Sequence, residues 1–163
     1  EAMYAIFLDT EKAFDTVWRN AIFHKLNVLH LHPKMIRIIS SFYQTTLSCI
    51  KINKSVTDFF ETTCGVMQGS ILSPLLESIF INDLIGNLRK DGPKWIVTES
   101  MTYNSEFYAD DIMLLARSPE DLSKILKICE DHSIKWRYKF NIDKSNIFIW
   151  DKGNSPAPKF TAQ

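Results

Sequence analysis

Residues 107–116 read FYADDIMLLA, two adjacent aspartates between an aromatic arm and an aliphatic one. The run is too short for a typical helix, and its apolar arms around a tight polar centre fit a strand, a turn and a second strand. On a flat strand, neighbouring side chains point to opposite faces, whereas at a turn Asp110 and Asp111 can lean toward one point. No arginine or lysine follows them until Arg117. Working outward, Tyr4–Leu8 is a short, continuously apolar run that reads as a buried strand and delivers Asp9 to its end. Side by side in one sheet, the two elements would gather three carboxylates at one rim.

Such a cluster is costly. Two unit charges ~4 Å apart repel by about 4 kcal/mol at an effective dielectric of 20, against a net domain stability of roughly 5–15 kcal/mol. Protonation, an arginine or a divalent cation would relieve it. Hard oxygen donors without nitrogen or sulfur point to Mg²⁺ or Mn²⁺. Taken alone, Asp-Asp fits an exposed turn and Asp9 a helix cap; their order on apolar strands is what joins them.

Between these elements, Phe14, Val17, Trp18, Ala21, Ile22, Lys25, Leu26 and Leu29 recur at helical spacing and predict a helix to about Leu29. Pro33 suits the first position of another, with Ile36, Ile39 and Tyr43 on one face. Residues 47–53 and 57–62 read as two strands. GVMQGSILSPLL, residues 65–76, sets Gly65 and Gly69 around Gln68 and leads into a helix to about Lys90. Ser73 is its expected cap, Glu77 its first-turn acid, and Leu75, Leu76, Ile79 and Leu84 its buried face. Glycine there permits close backbone approach to a ligand, although an ordinary loop-to-helix entry reads the same way.

Residues 91–104 read as loop or weak hairpin. Ser118 then caps a helix whose stripe is Leu122, Ile125, Leu126, Cys129, Ser133 and Trp136, and Asn146–Trp150 is a last strand. The whole predicts an α+β fold with a central antiparallel sheet, close to a split βαβ plan.

At 163 residues and 45% hydrophobic, the chain can bury a core, and a formal net charge of zero exerts no global pull on nucleic acid. Lys124, Lys127, Lys135, Arg137 and Lys139 are balanced by nearby acids and read as a solvated helix face. Cys49, Cys64 and Cys129 are odd in number and widely spaced, which suits reduced intracellular thiols. His30-Leu31-His32 lacks the spacing and the cysteines of a zinc site. No run is long and apolar enough to span a membrane, so no membrane partner is expected. A start in mid-strand reads like a piece cut from something longer, and residues 151–163, rich in Pro and small polar residues, predict a flexible tail.

FLDTEKAFDTV, GVMQGSILSPLLESIFINDL and FYADDIMLLA together resemble the three ordered palm motifs of reverse transcriptases, most closely those of non-LTR (LINE-type) retrotransposons. The resemblance covers about residues 2–150. It implies a polymerase palm over 1–150, with the fingers only partly present and the thumb wholly missing. It also implies RNA-directed DNA polymerase activity on an RNA template, a DNA primer and deoxynucleoside triphosphates, in the nucleus if the chain serves a retrotransposon.

Position by position, the resemblance implies that Asp9 and Asp110 hold two Mg²⁺ (or Mn²⁺) ions, with Asp111 at the same centre. Phe14 would be the steric gate against a 2′-hydroxyl, and Gln68 and Gly69 would contact nucleotide and template. Lys144, in YKFNIDKSNIFIW, matches the lysine that assists the leaving pyrophosphate. The chain departs from the family at Met67, where proline is usual, and at Glu77, where a large apolar residue is usual. A catalytically dead relic that binds nucleic acid weakly is the alternative. A two-metal nuclease is disfavoured, because Phe14 and Gln68-Gly69 would have no role in it.

Overall fold

Residue alternation builds the sheet. In β1 (Met3–Leu8), Ile6 and Leu8 are buried while Phe7 is 43% exposed. In β7 (Asp111–Ala116), Ile112, Leu114 and Ala116 are buried and Asp111 is exposed. The computed structural model describes residues 2–93, 104–108 and 111–150. The readings of residues 94–103, of the tail 151–163 and of Asp110 therefore lie outside the described residues. The chain divides into two compact units, one from Glu1–Ala13 with Ile81–Gln163 and the other from Phe14–Phe80.

In the first unit, β1 pairs antiparallel with β7, Ile6 opposite Leu114 and Leu8 opposite Ile112. β8 (Asn146–Trp150) pairs along the other edge of β1, with Ile6 opposite Ile147. β6 (Ser105–Tyr108) pairs with β7, Tyr108 opposite Asp111, so the two strands of that reading are present. The sheet order β6-β7-β1-β8 is the split βαβ plan, with the first and third of these four strands at its centre.

Two helices complete this unit. The C-terminal half of α4 (Ser73–Asp91) buries Leu84 and Leu88, and α5 (Pro119–Trp136) buries Ile125 and Cys129. Ser118 caps α5 as predicted, its hydroxyl accepting from the Asp121 N–H at 3.1 Å. The expectation of a fully buried β1 needs correction. Only one face of this antiparallel sheet is covered, and on the other Phe7 meets Phe148 edge-on at 5.6 Å.

A buried polar cluster ties α5 to α4. His132 Nε2 lies 2.8 Å from Asp83 Oδ1, His132 Nδ1 2.8 Å from the Tyr138 hydroxyl, and Trp136 Nε1–H donates to Asp83 Oδ2 at 2.9 Å. Burial pushes the Tyr138 phenol well above its ordinary range.

In the second unit the single helix predicted to Leu29 is instead two, α1 (Ala13–Thr16) and α2 (Arg19–Val28). The reason is tertiary. The carbonyls of Phe14 and Val17 accept from the N–H groups of Val66 and Gly65, at 2.8 and 2.9 Å. A loop fifty residues away in sequence thus takes partners that a continuous helix would use.

α3 (Pro33–Ser41) starts at the expected proline and is capped by His32, whose Nδ1 accepts from the Lys34 N–H at 3.2 Å. The two strands expected over 47–62 break into short ladders. These are β2 (Leu47–Ser48) with β5 (Phe60–Glu61), and β3 (Lys51–Ile52) with β4 (Ser55–Val56). α4 begins where predicted, but Ser73 does not cap it. The serine hydroxyl donates back to the Met67 carbonyl at 2.6 Å. Leu75, expected inside, is 57% exposed, whereas Leu76 and Phe80 are buried; Glu77 lies past the first turn and is also buried.

Candidate active site

The first unit brings Asp9 and Asp111 to one rim. One step beyond the last paired residues of β1 and β7, Leu8 opposite Ile112, the chain carries Asp9 on one strand and Asp111 on the other. Leu8 and Ile112 point into the core, so the period of two turns both carboxylates to the open face of the sheet. Asp111 is therefore the first residue of a strand rather than part of the turn proposed for it. Asp110 is outside the described residues, as is whatever it would add to the cluster.

Residues 139–145 hold the Asp9 backbone from several sides. The Asp9 N–H donates to Ser145 Oγ at 3.3 Å, and its carbonyl accepts from the Asn141 N–H at 2.8 Å. Thr10 bridges to Phe140, and the Glu11 N–H donates to the Lys139 carbonyl at 2.9 Å. Ser145 Oγ donates in turn to the Asn141 carbonyl at 2.7 Å. This loop brings Lys144 Nζ to 4.0 Å from Asp9 Oδ2, with the lysine side chain 71% exposed. An ion pair so open to water contributes little stability. Asn141 and Ser145 were missed in the sequence because their contribution runs through backbone partners, which leave no periodic signal.

Asp9 and Asp111 offer carboxylate oxygens, the donor type that hard divalent cations take. Among the described residues no group of three or more His, Cys, Asp or Glu that could hold a metal is assembled.

In the second unit, Phe14 sits in α1 and Gln68 and Gly69 in a turn before α4. The Gln68 Nε2 amide donates to Asp15 Oδ1 at 2.9 Å. Gly69 has φ +84°, and a Cβ there would meet open space, so its glycine serves conformation. Gly65 is the close-approach residue. Its φ is +80°, and a Cβ would lie 2.8 Å from the Asp15 carbonyl oxygen.

Arg19, which the sequence reading passed over, staples this loop. Its guanidinium donates to the carbonyls of Thr62 at 2.7 Å, Gly65 at 2.8 Å and Cys64 at 2.9 Å, and lies 5.2 Å from the Tyr43 ring. Its position in the helical stripe between apolar residues was the available signal.

Comparison with known proteins meets this geometry. The RNA-directed DNA polymerase from the mobile element jockey of Drosophila funebris is 31% identical over 146 residues, spanning 85% of this chain and 15% of that protein. The Pol polyprotein from the type-1 retrotransposable element R2 of Popillia japonica is 31% identical over 110 residues, 68% of this chain and 18% of that one. The chain thus spans less than a fifth of either relative. In fold it is similar to telomerase from Candida albicans, with a TM-score of 0.67 over 94% of this chain and 27% of that one at 13% identity. The family model for reverse transcriptase (RNA-dependent DNA polymerase) matches residues 1–160, and the chain belongs to that family.

Proposed function

We propose that this chain is the palm core of an RNA-directed DNA polymerase, adding deoxynucleoside triphosphates to a DNA primer on an RNA template. The observation that carries the reading is that Asp9 and Asp111 stand one step beyond the paired Leu8 and Ile112 at the same end of β1 and β7, with Lys144 4.0 Å from Asp9. Two Mg²⁺ (or Mn²⁺) ions held by Asp9, Asp110 and Asp111 would supply activation of the primer 3′-hydroxyl and charge neutralisation at the leaving pyrophosphate.

The chain's own residues then position and discriminate. Lys144, its side chain 71% exposed, would donate to the departing phosphate. Phe14 is the wall against a 2′-hydroxyl, and Gln68 and Gly69 contact nucleotide and template. Primer extension on an RNA template with Mg²⁺ or Mn²⁺ tests the reading. Incorporation that Asp110→Asn abolishes supports it. No incorporation at any protein concentration identifies a catalytically dead relic.

A further inference from the structure

We propose that Asp15, rather than serving only the surface of α1, is the residue that orients Gln68 for its ligand; this rests on the reading of Gln68 as a nucleotide contact. Three features of the second unit converge on it. The 65–66 backbone is laid against α1 by the bonds from Gly65 N–H to the Val17 carbonyl and from Val66 N–H to the Phe14 carbonyl. Gly65 allows that approach, since any Cβ would strike the Asp15 backbone. Arg19 locks the preceding carbonyls, so the loop and the helix that carries Phe14 are pinned as one piece. Against this fixed frame, Asp15 Oδ1 accepts from Gln68 Nε2 at 2.9 Å.

The chemistry of the pair sets the direction of the carboxamide. An ionised carboxylate only accepts, so it must meet the NH₂ end of Gln68 and not its oxygen. Oε1 is then turned away from Asp15 as an acceptor, and one N–H remains as a donor. A group that donates and accepts at adjacent positions suits a sugar hydroxyl of the nucleotide or template, which does the same. Without Asp15 the amide can rotate by half a turn and offer a donor where an acceptor is needed.

The test uses the whole chain and four forms, wild type, Asp15→Ala, Asp15→Asn and Gln68→Ala, with the Asp15→Ala/Gln68→Ala double variant. Thermal melting shows that each folds, and the NMR signals of the Gln68 side-chain amide report the bond directly. Asp15→Ala should shift those signals, while Asp15→Asn, which can offer an acceptor or a donor and so leaves the amide direction unset, should shift them by less. For dNTP, measured as KM in primer extension and as Kd by calorimetric titration, Asp15→Ala should weaken binding about three- to tenfold with kcat within ~twofold. Asp15→Asn should fall between Asp15→Ala and wild type, and the double variant should be no worse than Gln68→Ala.

Additive losses, an Asp15→Ala that binds like wild type, or unmoved Gln68 amide signals would overturn the proposal while leaving the Gln68 contact intact. A Gln68→Ala chain that binds dNTP like wild type overturns that contact itself, and this inference with it.

Discussion

Arg19→Met tests how the motif loop is held. The substitution keeps an unbranched apolar stem of similar length and removes every donor of the guanidinium. Gly65 then loses a buried partner at 2.8 Å and Thr62 and Cys64 part-buried ones at 2.7 and 2.9 Å, while the Tyr43 carbonyl loses only a long contact of 3.4 Å. A buried acceptor left unsatisfied costs about 1–3 kcal/mol, and each part-buried one about 1 kcal/mol because water can reach it. The expected loss is about 3–5 kcal/mol, a large share of a net stability of roughly 5–15 kcal/mol.

The place to read that loss is the loop itself. The Gly65 and Val66 amides donate to Val17 and Phe14, so their hydrogen exchange reports loop opening directly. At 1.4 kcal/mol per tenfold, they should exchange roughly 10²- to 10³-fold faster in Arg19→Met, and by less in Arg19→Lys, whose ammonium keeps the charge but not the planar fork. The urea midpoint should fall in the same order. Exchange within about tenfold of wild type, with an unchanged midpoint, would show that the loop is held by its backbone pairs and not by Arg19.

Phe14→Val should admit ribonucleotides by removing bulk against the 2′-hydroxyl, and an unchanged preference for dNTP over rNTP in primer extension would take Phe14 out of the gate. Burial pushes the Cys129 thiol from its ordinary 9.0 up to about 12, and raises the Tyr138 phenol in the same direction. Both groups stay protonated in the folded chain at pH values where the unfolded chain has lost the proton. Stability should be fully present below about pH 9 and then fall by about 1.4 kcal/mol per pH unit per group as pH rises toward the folded values. Urea midpoints across that range check this, and a flat profile would contradict it. Cys49 and Cys64 are exposed, so native alkylation should label them and spare Cys129.

Much of the first unit was legible in the residues. The aromatic and aliphatic arms of FYADDIMLLA mark its paired strands, and Ser118 announces α5. These features arise from neighbours in the chain, where periodicity and capping chemistry act. The three motifs in order were enough to point to the family.

Partner choice across the chain was decided only in three dimensions. The helix predicted through Val17 breaks because a distant loop claims its carbonyls, and His132, which reads as one more residue of a helix, is buried between Asp83 and Tyr138. Arg19 looks like a solvated charge until four carbonyl groups, from Tyr43, Thr62, Cys64 and Gly65, are folded around it. Local pattern tells a side chain which way to face. Which acceptor a buried donor finds is settled by packing, because an unpaired polar group in the interior costs more than the helical turn given up to satisfy it.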